Sequence, residues 1–241
     1  MQDYLLFQLY APLAAWGEQA VGQERPSADH PSRSALLGLV AAALGIDRQD
    51  ETQQQNLSDA LRFGVKLLAS GLALRDFHTV QMPPENKKAL HRKTRRAELQ
   101  DDKLGTLLSF RSYRQDSIAI VAMWLEQTEH YRLETLRKAL NHPCFHLYLG
   151  RKSCPLALPL NASLIQAFNL REALDHYCVD EALQTLLSPQ SPIRYYWESS
   201  ALSPSGMEEN QTYVVPRYDQ PLSRTRWQFI QREEYVYLVR R

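Results

Sequence analysis

Apolar residues crowd Tyr4 to Tyr10, thin out across Gly17 to Pro31, and then run without a charge from Ala35 to Ile46. The first stretch, rich in leucine and aromatics, predicts a strand. The polar loop after it carries Trp16, Gly17, Gly22, Arg25, Pro26 and Pro31. Ser32, Arg33 and Ser34 open a helix, and Gly45 is its stop. That helix is apolar nearly all round, so it should be buried, with Gly38 and the alanines packed closely on a sheet. Its 12-residue run is too short to cross a bilayer, which takes about 20 residues.

Asp47 to Asn56 is polar and reads as exposed, and Leu57 to Arg62 reads as a short helix. Val65 to Ala69 and Leu72 to Val80 read as two strands around a Ser70-Gly71 turn. The apolar pattern then fades until Asp116, a gap longer than the ~12–15 residues of ordinary connections. Ser117 to Leu125 is apolar on both faces and predicts a central strand. Glu129 to Leu140 predicts an amphipathic helix with Leu133, Leu136 and Leu140 on one stripe, ended by Pro143.

This succession approximates a β-α-β-β-α-β unit, so the expected fold is α+β: a ferredoxin-like (RRM-like) domain over 1–160 with a long arm inserted before the Ser117 strand. Ile193 to Glu198, Thr212 to Val215 and Tyr235 to Val239 are the strand candidates of the remainder. They predict a small, mostly β appendage over 161–241.

Charged residues make up 23% of the 241-residue chain, which argues against wholesale disorder. With 28 Lys and Arg against 27 Asp and Glu, the net charge is +1. A uniformly basic coat is therefore excluded, and any charge-driven function must come from clustering. The cluster exists: six of the ten residues from Lys87 to Arg96 are basic, which leaves the rest of the chain at 22 basic against 27 acidic. Arms of this kind track phosphate backbones, because each contact releases condensed counterions; the alternative is a solvated loop. The three cysteines, Cys144, Cys154 and Cys178, form no C-x-x-C pair, which fits a reducing, cytoplasmic setting. Met1-Gln2-Asp3 shows no signal-peptide n-region.

Arg75-Asp76-Phe77-His78-Thr79-Val80 brings an arginine, an aromatic and a histidine together on one strand, a combination that contacts phosphate and stacks on bases. Trp16 reads equally as a stacking residue or a core residue. In Tyr148-Leu149-Gly150-Arg151-Lys152-Ser153-Cys154-Pro155, glycine allows close approach to an anion and three consecutive donors follow. The P-loop spacing is absent. His142, Cys144 and His146 would share one strand face, but Pro143 interrupts the strand and no second zinc half-site follows, so no metal or cofactor is expected. Acid–base ribonuclease chemistry would have to draw on His78, His91 or Tyr113 with a nearby lysine.

Four stretches together resemble the CasD family, the crRNA 5′-handle-binding subunits of type I-E CRISPR Cascade complexes within the RAMP superfamily. They are Arg25-Pro26 with Ser32 to Leu39 and Leu44-Gly45-Ile46; Leu74 to Val80; Tyr148 to Leu156; and Arg232-Glu233-Glu234-Tyr235-Val236. The resemblance implies a ferredoxin-like domain with a β-hairpin thumb at about 81–115, plus a small C-terminal β domain. It implies a non-catalytic RNA-binding scaffold that grips the crRNA 5′ handle and contacts the large subunit CasA and the backbone subunit CasC. Target DNA is met only through the complex, and no membrane is involved. Relatives in another subtype are metal-independent ribonucleases, so processing of precursor RNA is the alternative. The RNA-binding set so implied is Trp16, Arg25, Arg33, Ser34, Arg75, Phe77, His78, Thr79, Lys87, Lys88, Arg92, Lys93, Arg95, Arg96, Arg111, Tyr148, Gly150, Arg151, Lys152 and Ser153.

Overall fold

One strand of unusual length organises the chain. The computed structural model describes residues 1–83, 93–100, 103–188, 191–200 and 203–239. In chain order come β1 (Gln2–Ala14), the two-residue strands β2 (Trp16–Gly17), β3 (Glu24–Arg25) and β4 (Ser27–Ala28), and helices α1 (Arg33–Leu44) and α2 (Glu51–Ala60). Then follow β5 (Leu61–Ala69), β6 (Leu72–Met82), α3 (Arg95–Glu98) and the 21-residue β7 (Gly105–Leu125). The chain continues through α4 (Leu133–Asn141), β8 (Ser163–Ala167), α5 (Leu170–His176), α6 (Glu181–Gln184), β9 (Arg194–Trp197), β10 (Thr212–Ser223) and β11 (Gln228–Leu238). Nine strands form a single, mainly antiparallel sheet with the order β10-β11-β9-β5-β7-β1-β8, and β3 and β6 join it along β7.

Period-2 alternation explains the layering. In β1, Leu5, Phe7 and Leu9 face a core shared with α1 and α4. Tyr4 and Leu6 face a second core completed by Leu170 and Leu174 of α5. Ile118 to Trp124 are buried on both faces, so the central strand is buried as its unbroken apolar run requires. α1 starts where the Ser32 hydroxyl accepts from the Ala35 N–H, and stops at Gly45, in the left-handed region at φ +77°.

Several elements depart from the expected ones. α2 begins at Glu51, because Asp50 caps it through the Gln53 N–H, and Leu61 already belongs to a strand. The amphipathic helix starts at Leu133 rather than Glu129. Ser70-Gly71 is not a hairpin turn. β5 and β6 never pair with each other; they run in line along the same edge of β7. Gly71 sits at φ +68°, where a Cβ would come within 2.2 Å of the Gln115 carbonyl oxygen, so it marks close strand approach. Gly38 faces the Arg224 guanidinium rather than the sheet. β8, α5 and α6 fill a stretch that shows little pattern in the sequence.

A buried polar network joins the loop before α1 to the C-terminal strands. The Arg33 guanidinium donates to both Glu198 oxygens at 2.9 and 3.0 Å, to the Ser58 and Leu61 carbonyls, and to the Gln220 side chain. Arg232 donates to Asp219 at 2.6 and 2.9 Å and to Glu234 at 2.7 Å. His30 bridges Asp29 at 2.7 Å and Glu234 at 2.8 Å, with its ring stacked 3.6 Å from Tyr196. Burial works against the imidazolium, but its hydrogen bonds to Asp29 and Glu234 prevail and leave the His30 pKa raised. The His30 hydrogen bond holds Asp29 down at about 2. Burial opposes ionisation of Glu234, yet His30 and the neighbouring arginines bring it to about 2 as well.

Two predictions follow from the network. Arg33→Met strands the buried Glu198 carboxylate, so urea denaturation should show a loss of about 3–5 kcal/mol. A loss below about 1 kcal/mol would show that the pair is dispensable. The raised His30 pKa means its stabilising contribution is complete below the ordinary value of about 6.5 and declines as pH rises through the folded value. The stability gap between the wild type and His30→Gln should therefore narrow as pH rises from about 6.5 through the raised folded pKa of His30. A gap that widens over that range would contradict the assignment.

Candidate nucleic-acid interface

The outer half of β7 leaves the core and pairs with β6 from Leu72 opposite Gln115 to Met82 opposite Gly105. Alternation splits the motif of Arg75 to Val80 between two faces. Arg75, Phe77 and Thr79 are exposed, while Asp76, His78 and Val80 are half-buried on the other side. Phe77 lies opposite Phe110, with ring centroids 5.2 Å apart, and the Arg75 guanidinium sits 4.3 Å over Phe110. Arg75 also pairs with Glu24 at 2.6 Å. That pair is more than half exposed on both sides, so it is weak, and a phosphate can compete for the cation. His78 belongs to the opposite face, with its Nδ1 3.8 Å from Asp76. The expected trio of Arg75, Phe77 and His78 is thus a trio of Arg75, Phe77 and Thr79.

β3 runs parallel to β7 and places Glu24 beside Phe110 and Arg25 beside Arg111. The Arg25 side chain is exposed and folds back onto the Gly22 and Glu24 carbonyls at 2.8 Å each. Arg111 is half-buried and donates to Ser109 Oγ at 3.3 Å.

The loop from Tyr148 to Pro155 closes on itself through a bridge between those two residues. Gly150 does make a close backbone approach, but to Ala15: at φ +82° its Cβ would lie 1.8 Å from the Ala15 carbonyl oxygen. Arg151 acts as a clamp. It donates to the Ser112 and Arg25 carbonyls at 3.0 Å each and lies 4.6 Å over the buried Tyr113 ring. Its donors therefore fasten the loop to the base of the ribbon. Lys152, Ser153 and Tyr148 remain exposed beside it. Cys154 is buried, and that burial pushes its thiol pKa up.

Other residues of the expected set lie elsewhere. Trp16 is 2% exposed and belongs to the core, which removes it as a stacking surface. Its indole Nε1 has no hydrogen-bond partner among the described residues. Arg33 is 3% exposed and is committed to Glu198 and the carbonyls around it. Ser34 is half-buried, its hydroxyl 3.1 Å from that of Ser32. In the basic arm, Lys93, Arg95 and Arg96 are exposed, and Arg95 pairs with Glu98 at 2.8 Å. Lys87, Lys88 and Arg92, like His91, lie outside the described residues. Phe110 and Glu24 complete the surface but were not singled out from the sequence. Only the strand register reveals them.

One face of the ribbon joins the Arg75 cation to the exposed Phe77 ring and the half-buried Phe110 ring, while Arg25, in register with Arg111, and the Arg151 loop over Tyr113 belong to the other face. Among the described residues no cluster of three or more His, Cys, Asp or Glu side chains is placed to hold a metal ion, and no helix is long and apolar enough to cross a membrane.

The family described as CRISPR-associated protein (Cas_Cas5) matches residues 4–235. The CRISPR system Cascade subunit CasD of Escherichia coli (strain K12) is 35% identical over 185 residues, covering 73% of this chain and 78% of that protein. A chain of a solved CRISPR RNA-guided surveillance complex superposes with a TM-score of 0.65 at 26% identity, covering 98% of this chain and 89% of its own length. A crystal structure of a Cas protein matches at a TM-score of 0.53 and 26% identity, covering 96% of this chain and 94% of its own. With both the family match and the CasD relative spanning most of its length, the chain belongs to the Cas5 family of CRISPR-associated proteins.

Proposed function

We propose that this chain is the Cascade subunit that grips the 5′ handle of crRNA, a non-catalytic scaffold in cytoplasmic antiviral defence that contacts the large subunit CasA and the adjacent backbone subunit CasC. The observation that carries the reading is the cluster of Arg75, Phe77 and Phe110 on one face of the ribbon, with Phe77 exposed and the Arg75 guanidinium over the half-buried Phe110 ring. Cations and aromatic faces on one surface are what a single strand needs: charge for its backbone and rings for its bases. The identity to a Cascade subunit and the likeness to an RNA-guided surveillance complex support the same reading.

The topology supports a ferredoxin-like frame. β1, α1, β5, β7, α4 and β8 follow one another as β-α-β-β-α-β, and their strands lie in the order β5-β7-β1-β8. The β6–β7 ribbon then takes the place of the thumb. We read the segment 161–241 as a mostly β extension of this frame, since its strands β8 to β11 belong to the same sheet. A scaffold role also suits the acid–base candidates. Tyr113 is buried under Arg151 and pairs with Leu74, while His78 pairs with Ser109 further along the ribbon.

Handle RNA should bind with log K falling against log[salt] at a slope of about −3, corresponding to four neutralised phosphates at ~0.7 each. A variant carrying Arg25→Ser, Arg75→Ser and Lys152→Ser should fold normally and show a slope near about −1. Repeat RNA incubated with the wild type without metal should stay intact. A wild-type slope in the triple variant would place the RNA elsewhere. Cutting at one defined bond would favour the processing enzyme.

A further inference from the structure

The tip of the β10–β11 hairpin carries a second group of cations and an aromatic ring, made by different elements from the ribbon. Trp227 is 57% exposed, whereas the other three tryptophans, Trp16, Trp124 and Trp197, are 2%, 0% and 7% exposed. It holds a left-handed backbone at φ +56°, costly for so bulky a residue. The Arg48 guanidinium lies 4.3 Å over its ring and that of Arg224 6.0 Å away. Among the described residues neither arginine forms an ion pair within 4 Å, nor does the exposed Arg226, whose charge nevertheless adds to the Ser223 and Thr225 hydrogen bonds in lowering the Glu51 pKa. Arg224 is held by a 2.7 Å hydrogen bond to the Ser34 carbonyl. Burial and the nearby Arg48 charge both oppose its protonated state. An anion at this point would relieve both.

Arg224 also lines a cleft of about 410 Å³ between α2 and β10. The cleft walls carry Thr52, Gln55, Asn56, Ser58 and Glu51, an array of amides, hydroxyls and one carboxylate. The size falls in the range of small-ligand sites, and such groups read the donor and acceptor edges of a base. Three carboxylates lie near the arginines, and each is occupied. Asp47 and Asp50 accept from backbone at the start of α2, and Glu51 accepts from Ser223 Oγ at 2.5 Å. Glu51 therefore disfavours a phosphate inside the cleft itself and leaves the phosphate to the arginine side.

We propose that the Trp227 ring and the neighbouring cleft take one unstacked nucleotide of a single-stranded nucleic acid, with its base on Trp227 and against the amide-lined wall and its phosphate at Arg224 and Arg226. The site is distinct from the handle-binding ribbon and does not depend on it. Base–aromatic stacking tolerates any sequence, so the site holds a strand by position rather than by its order of bases.

Tryptophan fluorescence reads this site directly, because Trp227 is the one exposed indole and the ribbon carries none. The full-length protein should be titrated with oligouridylate RNA and oligothymidylate DNA of about 10 nucleotides and with a duplex of the same length. Both single strands should quench the emission, the duplex should not, and the difference between RNA and DNA assigns the preferred strand. Trp227→Phe should abolish the quench. Arg48→Ala with Arg226→Ala should weaken the midpoint roughly tenfold, and a ribbon variant carrying Arg75→Ser and Phe77→Ala should leave it unchanged. Oligonucleotide binding seen by anisotropy without any quench would overturn the proposal, as would a quench that survives Trp227→Phe. An oligoglutamate peptide that quenches as strongly as the nucleic acid would assign the surface to an acidic protein partner instead.

Discussion

Strand β7 carries two environments on one continuous backbone. Its inner half, Ser117 to Trp124, is buried on both faces between β1 and β5. Its outer half leaves the core and pairs with β6 and β3 in front of solvent. Because the ladder continues across the junction, the rigid core fixes the twist and register of the exposed ribbon. The junction itself is marked by two left-handed residues, Asp116 at φ +55° and Gly71 at φ +68°. Exposed ribbons are poorly specified when isolated. This one inherits its geometry from about 20 residues of shared strand, together with the Arg151 clamp at its base.

The same physics separates what could be read from the sequence from what could not. Ser32 and Gly45 bound α1 because capping and left-handed stops are local events. Ser117 to Leu125 is legible because burial on both faces leaves an unbroken apolar run. Arg33 is illegible in the same sense. An arginine in a loop beside serines looks available, and only the return of β9 and β10 brings Glu198 and Gln220 onto it. Trp16 and Gly150 follow the same rule: both lie against Ala15 or the core, and nothing local announces it. The ribbon motif was legible in composition but not in facing. Alternation puts His78 opposite to Phe77, and the partner ring Phe110 comes from a register more than 30 residues away in sequence.

Charge in this chain serves two separate purposes. Buried arginines such as Arg33 and Arg232 bind carboxylates and hold the loop before α1 against β9, β10 and β11. Removing one partner leaves a desolvated charge, so this network behaves as a structural lock. The exposed cations Arg25, Arg75 and Lys152 make contacts that water or phosphate can replace. A net charge of +1 conceals this division, since nearly balanced totals accompany a sorted distribution.

The central claim is that the outer half of β7, with β6 and the loop of Arg151, forms the RNA-gripping surface. Ultraviolet cross-linking of the assembled ribonucleoprotein, read by peptide mass spectrometry, tests it most directly, because aromatic rings stacked on bases are the groups that couple. The account predicts RNA attached at Phe77, Phe110 or Tyr148. Attachment confined to peptides outside β6, the outer half of β7 and the Tyr148 loop would contradict it.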